Sequence, residues 1–226
     1  MVKKIDQIRN IGLIGHSSCG KTSLAEAVLF NSKSTSRLGR VDDGNSIMDF
    51  EPEEVKRKAS LSTAFHPYTW KSRKFNLIDT PGENDFLSDT KICLQAAEGT
   101  LVVIDAVDSI KVGTEKVWDF SKKYNLHRVI FINKLDRERA DFYKVLEEIE
   151  STFSIKVTPI YLPIGSERDF IGVIDLTKLK ANLYKNDSSG SFKEGEIPDS
   201  MAEIVDKWRE NMVENIVEAN DDIMEK

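Results

Sequence analysis

Cysteine is scarce in this chain: there are two, Cys19 and Cys93, with neither a pairing pattern nor metal-ligand spacing. That excludes a disulfide-stapled scaffold and fits a reducing compartment. No run approaches the ~18 consecutive apolar residues that a membrane-spanning helix needs. The opening residues, Met1 to Asp6, hold no apolar signal-peptide core and lead straight into a strand pattern. A cytoplasmic protein that touches no membrane is expected. Positive charge is not in excess either. The net charge is −6, which argues against a general polyanion binder. There is no internal repeat, and the only biased stretch is a short serine-rich loop at residues 186–191.

What is present suffices for a folded core. The 226 residues are 40% hydrophobic and 31% charged, which suits one large domain or a domain plus a subdomain. Two short basic runs, Lys56 to Lys58 and Lys71 to Lys74, read as solvated loop charge. No sequence-specific nucleic-acid contact is expected from them.

The informative stretch is GHSSCGKT, formed by Gly15, His16, Ser17, Ser18, Cys19, Gly20, Lys21 and Thr22. It matches the G-x-x-x-x-G-K-[ST] phosphate loop, whose backbone N–H groups close around a phosphate at a helix N-terminus. The context fits. An apolar run from Ile11 to Ile14 precedes it, and a helical stripe of Leu24, Ala25, Val28 and Leu29 comes after it. Lys21 is expected to reach the β- and γ-phosphates of a nucleoside triphosphate, and the Thr22 hydroxyl to hold Mg²⁺. Cys19 is either a small inert filler of this loop or an oxidation-sensitive thiol.

Strand and helix patterns alternate as far as residue 153, the rhythm of a mostly parallel α/β sheet. Strands are expected near 10–15, 60–69, 74–79, 100–106 and 128–133, with helices near 20–32, 86–97, 113–124 and 138–152. Residues 31–59 carry no firm periodicity, and a loop that long is functional or mobile. Beyond Phe153 the texture changes. Short strands are expected within 156–164 and 170–176, and an acidic amphipathic helix over 199–226 carries Met201, Ile204, Val205, Trp208, Met212, Ile216 and Val217 on one face. The chain therefore divides into a nucleotide-binding domain, 1–154, and an α+β insert subdomain, 155–226.

Two further motifs fall at expected strand ends. Asp79, Thr80, Pro81 and Gly82 come directly after an apolar strand. Asp79 there is suited to hold Mg²⁺ through water, and the Gly82 N–H to approach a γ-phosphate. Asn133, Lys134, Leu135 and Asp136 close another. The Asp136 carboxylate would accept from the N1–H and 2-amino group of guanine, which adenine lacks. Asn133 would add a bond to the base edge and the Lys134 stem would cover the ring, so GTP and GDP are the expected ligands.

With these motifs in order, the chain resembles the G domain of translational GTPases of the elongation-factor-G type. The resemblance runs over essentially the whole chain and implies a GTPase acting at the ribosome. The family's Arg-Gly-Ile-Thr-Ile segment is best matched by Arg57 to Leu61, and a later family Trp by Trp70. Ser60 then stands at the Mg²⁺-binding threonine of the first switch, and residues 31–59 become that switch loop. Two positions depart. Glu83 replaces the His that orients the attacking water, and a second negative charge beside the γ-phosphate opposes transition-state stabilisation. Ser18 replaces an Asp that would ligate a monovalent ion. Lys21, Gly82 and Glu83 are the catalytic candidates, and a non-hydrolysing, GTP-sensing ribosome-binding or ribosome-protecting module is the alternative. The family's closing Ser-Ala loop, final strand and helix have no match, so the chain reads as an amino-terminal piece of a longer protein.

Overall fold

A computed structural model describes residues 4–185 and 190–218. The expected loop at 186–189 and helix end at 219–226 lie outside the described residues. The chain packs as two compact units, Met1–Asn133 and Lys134–Lys226.

The first unit is built on a five-stranded sheet in the order β2-β3-β1-β4-β5. Its strands are β1 (Ile8–Ile14), β2 (Ala64–Trp70), β3 (Arg73–Asp79), β4 (Gly99–Asp105) and β5 (His127–Asn133). β3, β1, β4 and β5 run parallel, and β2 returns antiparallel on β3. The central strands read as near-continuous apolar runs, as strands buried in a parallel sheet do; Leu13, Ile14, Val102, Val103 and Ile104 are fully buried. β2 is an edge strand, which is where Pro67 is tolerated. It is joined to β3 through Lys71 and Ser72, both at positive φ, the backbone a tight two-residue hairpin needs. Helices α1 (Lys21–Asn31), α2 (Pro52–Arg57), α3 (Leu87–Cys93) and α4 (Val112–Lys123) belong to this unit. One core cluster joins Leu13 and Leu77 of the sheet to Ala25 and Leu29 of α1, with Met48 from the intervening loop.

The second unit holds α5 (Phe142–Phe153) and an antiparallel sheet in the order β6-β7-β8-β9. Those strands are β6 (Tyr161–Ile164), β7 (Gly172–Asp175), β8 (Lys180–Tyr184) and β9 (Phe192–Gly195), and α6 (Ala202–Glu218) comes after them. Leu162, Ile164, Ile174, Leu176 and Ala181 of the sheet region pack with Val205 and Met212 of α6. The Arg209 guanidinium donates to the Leu176 carbonyl and ties α6 to the end of β7.

Several boundaries differ from the sequence reading for physical reasons. β2 begins at Ala64, not at 60, because the N–H groups of Leu61 and Ser62 are taken by the Glu54 carboxylate and that of Thr63 by Asp89. α5 starts at Phe142, where the Asp141 side chain caps the Lys144 N–H. Residues 52–57 of the aperiodic stretch form α2, started by Pro52 and a reciprocal Glu51–Glu54 cap and ended by Lys58 in the left-handed region. β8 and β9 carried no readable signal; β9 is only four residues, three of them exposed.

Ile174 is fully buried at the centre of the second core, so Ile174→Ala is expected to cost about 2–5 kcal/mol. Urea unfolding monitored by tryptophan fluorescence in a chain that keeps Trp208 alone, with Trp70 and Trp118 replaced by Phe, measures it, and an unchanged midpoint would contradict the packing described.

Candidate functional site

Because four strands are parallel, their carboxyl ends share one edge of the sheet. Asp79 is in register with Leu13, and Asn133 with Asp105. The turns that leave β1, β3 and β4, together with the end of β5 at Asn133, therefore gather there, where ligands bind in open α/β sheets.

The turn after β1 is the GHSSCGKT loop. Gly20 ends it in the left-handed region, φ 97°, and a Cβ at that point would fall on Asn133 Nδ2. Glycine is thus required both by the backbone and by close approach. The Asn133 amide donates to the Cys19 carbonyl at 2.9 Å, tying the end of β5 to the loop. Lys21, though charged, is buried; its Nζ donates to the carbonyls of His16 at 2.9 Å and Gly15 at 3.1 Å. It is held across the loop by two neutral acceptors. Cys19 is fully buried.

The turn after β3 presses on the same loop. Thr80 Oγ1 donates to the Leu13 carbonyl and Thr90 Oγ1 to the Pro81 carbonyl, fixing the backbone between them. A Cβ on Gly82 would collide with Lys21 Nζ, the His16 carbonyl carbon and the Ser17 nitrogen. Only glycine lets this turn lie so close to the loop. Glu83 is next, half-buried, at the head of a 3-10 turn.

Here lies a group of buried carboxylate oxygens without hydrogen-bond partners. Asp79 is 1% exposed and neither carboxylate oxygen has a hydrogen-bond partner. Burial pushes its pKa up to about 7, an effect the Lys21 ammonium opposes. Beside it runs a chain of hydroxyls: Thr22 Oγ1 meets Ser60 Oγ at 3.0 Å, and Ser60 Oγ donates to Asp49 Oδ1 at 2.7 Å. Asp49 is also buried, with Oδ2 unpartnered. Its pKa is raised first by burial, an effect the Ser60 bond opposes and the nearby carboxylates of Glu54 and Glu26 reinforce. Unpaired carboxylate oxygens beside two hydroxyls form an all-oxygen donor set of the kind that suits Mg²⁺.

The sequence reading identified Thr22, Ser60 and Asp79, and the structure brings them together. It missed Asp49, Glu26 and Glu54, the buried acids of the loop and helix around them. Asp49 and Glu54 lie in the aperiodic stretch, where no spacing marks them. Glu26 sits in an ordinary helical run. Lys134, at φ 63°, and the exposed Asp136 open the second unit. His16 is buried, with Nδ1 at 3.1 Å from Thr114 Oγ1. Desolvation, then Lys21 and Lys111, lower its pKa to about 4, so its imidazole is neutral at physiological pH.

These two shifts have opposite consequences. Asp79 keeps its proton to about pH 7 when folded but only to about 4 when unfolded, so its contribution to stability falls as pH rises through that window. For His16 the unfolded chain takes the proton between pH 6.5 and about 4, so stability falls there as pH drops. Of the two, only Asp79 contributes above pH 6.5. Asp79→Asn should therefore raise the melting temperature of the ligand-free chain at pH 8 by several degrees and flatten its slope from pH 6.5 to 8. An unaltered slope would contradict the buried, unpaired carboxylate.

Residues 6–223 match the family described as the Elongation factor Tu GTP binding domain. The chain is 37% identical over 222 residues to an elongation factor G of Thermotoga petrophila and 36% identical to that of Thermotoga maritima; each match covers 98% of this chain. It spans 32% of the length of those relatives. A crystal structure of a protein from Thermus thermophilus superposes with a TM-score of 0.91 at 34% identity, covering 97% of this chain and 33% of that one. Among the described residues no helix is long and apolar enough to cross a membrane. The chain belongs to the family of the elongation factor Tu GTP-binding domain, a G domain of the translational GTPase kind.

Proposed function

We propose that this chain binds and hydrolyses Mg²⁺·GTP as the G domain of an elongation-factor-G-like protein that works at the ribosome in translocation. The observation that supports it most is Asp79, a buried carboxylate with both oxygens unpaired, at the strand end beside the phosphate loop and the Thr22–Ser60 hydroxyl pair. Such a group is costly unless a cation or donor arrives to meet it.

The backbone N–H groups of residues 15–22 and the Lys21 ammonium would cradle the phosphates. Thr22 and Ser60 would hold Mg²⁺, with Asp79 and Asp49 behind them; bound there, the ion would neutralise charge on the β- and γ-phosphates. Gly82 would offer its N–H to the γ-phosphate, and Glu83 would lie beside the attacking water. Asn133 already steadies the loop through Cys19, and with Lys134 and Asp136 would receive guanine. The proposed domain division, 1–154 for nucleotide binding and 155–226 for the insert, tracks the end of the βα alternation at α5. The packing division falls earlier, between Asn133 and Lys134, and Phe142 of α5 packs on the core of the second unit.

Glu83 favours a second reading, a GTP-sensing module that occupies its ribosomal site without hydrolysis or protects it. A carboxylate there adds negative charge where the transition state already carries an excess.

Calorimetry with non-hydrolysable GTP and ATP analogues tests the binding. GTP should be preferred roughly a hundredfold or more, and Asp136→Ala should erase that preference. Comparable binding of both analogues by the unsubstituted chain would defeat the guanine assignment. Phosphate release with ribosomes by wild type, Glu83→Ala and Glu83→His separates the two readings. Turnover that falls in Glu83→Ala supports hydrolysis through Glu83; no ribosome-stimulated turnover with retained binding selects the sensing module.

A further inference from the structure

Glu26 is the most deeply buried acid of the first unit, with no exposed surface. It lies one helical turn after Thr22, on the same face of α1. Its Oε1 accepts from Ser46 Oγ at 2.6 Å, from the Ile47 N–H at 2.6 Å and from the Met48 N–H at 3.3 Å. Ser46 Oγ in turn accepts the N–H groups of Met48 and Asp49. On the other side the loop backbone closes on Oε2, since a Cβ at Gly39 would fall directly on it. A polar side chain is expensive to bury, and an apolar one would fill a helix–loop contact at less cost. Retaining Glu here requires a task that an apolar residue cannot perform.

That task is visible at Met48 and Asp49. With its amide held by Glu26, Met48 inserts its side chain into the core beside Leu13, Ala25 and Leu29. Asp49 is the next residue and grips Ser60, which meets Thr22. One face of α1 thus holds the loop at two points a turn apart: Glu26 takes residues 46–48, and Thr22 takes Ser60 through the Asp49 link. By contrast Phe50, just past the anchored segment, is 64% exposed.

We propose that Glu26 is a positioning residue: by clamping residues 46–48 onto α1 it sets Asp49, and through Asp49 the Ser60 hydroxyl, where Mg²⁺·GTP requires them. It touches neither nucleotide nor metal. The proposal rests on the Mg²⁺·GTP reading above. It deepens that reading by making the order of the switch loop depend on a buried carboxylate of the phosphate-loop helix.

The test compares wild type, Glu26→Ala and Glu26→Gln for affinity toward GDP without Mg²⁺ and toward a non-hydrolysable GTP analogue with Mg²⁺. Hydrogen exchange at the Ile47 and Met48 amides is measured on the same proteins. Glu26→Ala should lose at least tenfold in affinity for the Mg²⁺·GTP analogue while GDP affinity stays within about twofold, and both amides should exchange much faster. Glu26→Gln keeps an acceptor oxygen and should restore most of both. Equal losses for the two ligands would reduce Glu26 to a stability role and overturn the proposal, as would retained GTP-analogue affinity in Glu26→Ala. If the unsubstituted chain binds neither ligand, the nucleotide reading fails and the positioning role falls with it. Amide protection that still depends on Glu26 would then mark a purely structural clamp.

Discussion

The parallel pairing of β3, β1, β4 and β5 is the constraint on which the site depends. Parallel strands deliver every carboxyl end to one edge, so three turns distant in sequence meet without any of them needing affinity for the others. The pairing itself rests on the apolar continuity of the central strands, which bury Leu13, Ile14, Val102, Val103 and Ile104 completely. Once that register is set, Asp79 is level with Leu13 and Asn133 with Asp105. The Thr80–Leu13 and Asn133–Cys19 hydrogen bonds then fix the turns to within bonding distance.

Negative charge outweighs positive in the interior of this edge. Asp79, Asp49, Glu26 and Glu54 are all buried, and Lys21 is the one buried ammonium among the described residues. They divide into two kinds. Glu26 and Glu54 have an oxygen supplied with backbone and hydroxyl donors, and so serve as anchors for the loop. Both oxygens of Asp79, Oδ2 of Asp49 and Oε2 of Glu26 are buried without a hydrogen-bond partner; those of the two aspartates belong to the group around the Thr22–Ser60 hydroxyls, whereas Gly39 closes on Glu26 Oε2. Burial raises the pKa of both aspartates.

The nucleotide motifs were legible because each is contiguous. A phosphate loop, an Asp at a strand end and an Asn-Lys-x-Asp turn declare their chemistry within eight residues, and the flanking apolar runs place them at strand ends. The alternation of strands and helices in the first 153 residues was legible for the same local reason. The first-switch position of Ser60 was reached by resemblance, and its meeting with Thr22 is seen only in the fold.

What the sequence determined by itself is the motif-bearing edge of the sheet: the GHSSCGKT loop, the glycines that permit close approach, and the Asn133-to-Asp136 segment at the end of β5. The tertiary structure alone decided the order of residues 39–63 and the partners of its acids. As far as residue 59 that stretch has no periodicity, the strand expected from residue 60 begins only at Ala64, and the helix it holds is six residues long. It is held by hydrogen bonds to carboxylates elsewhere, Glu26 twenty or more residues back and Asp89 farther on. Such bonds leave no spacing pattern, because donor and acceptor are matched by the fold and not by their separation along the chain.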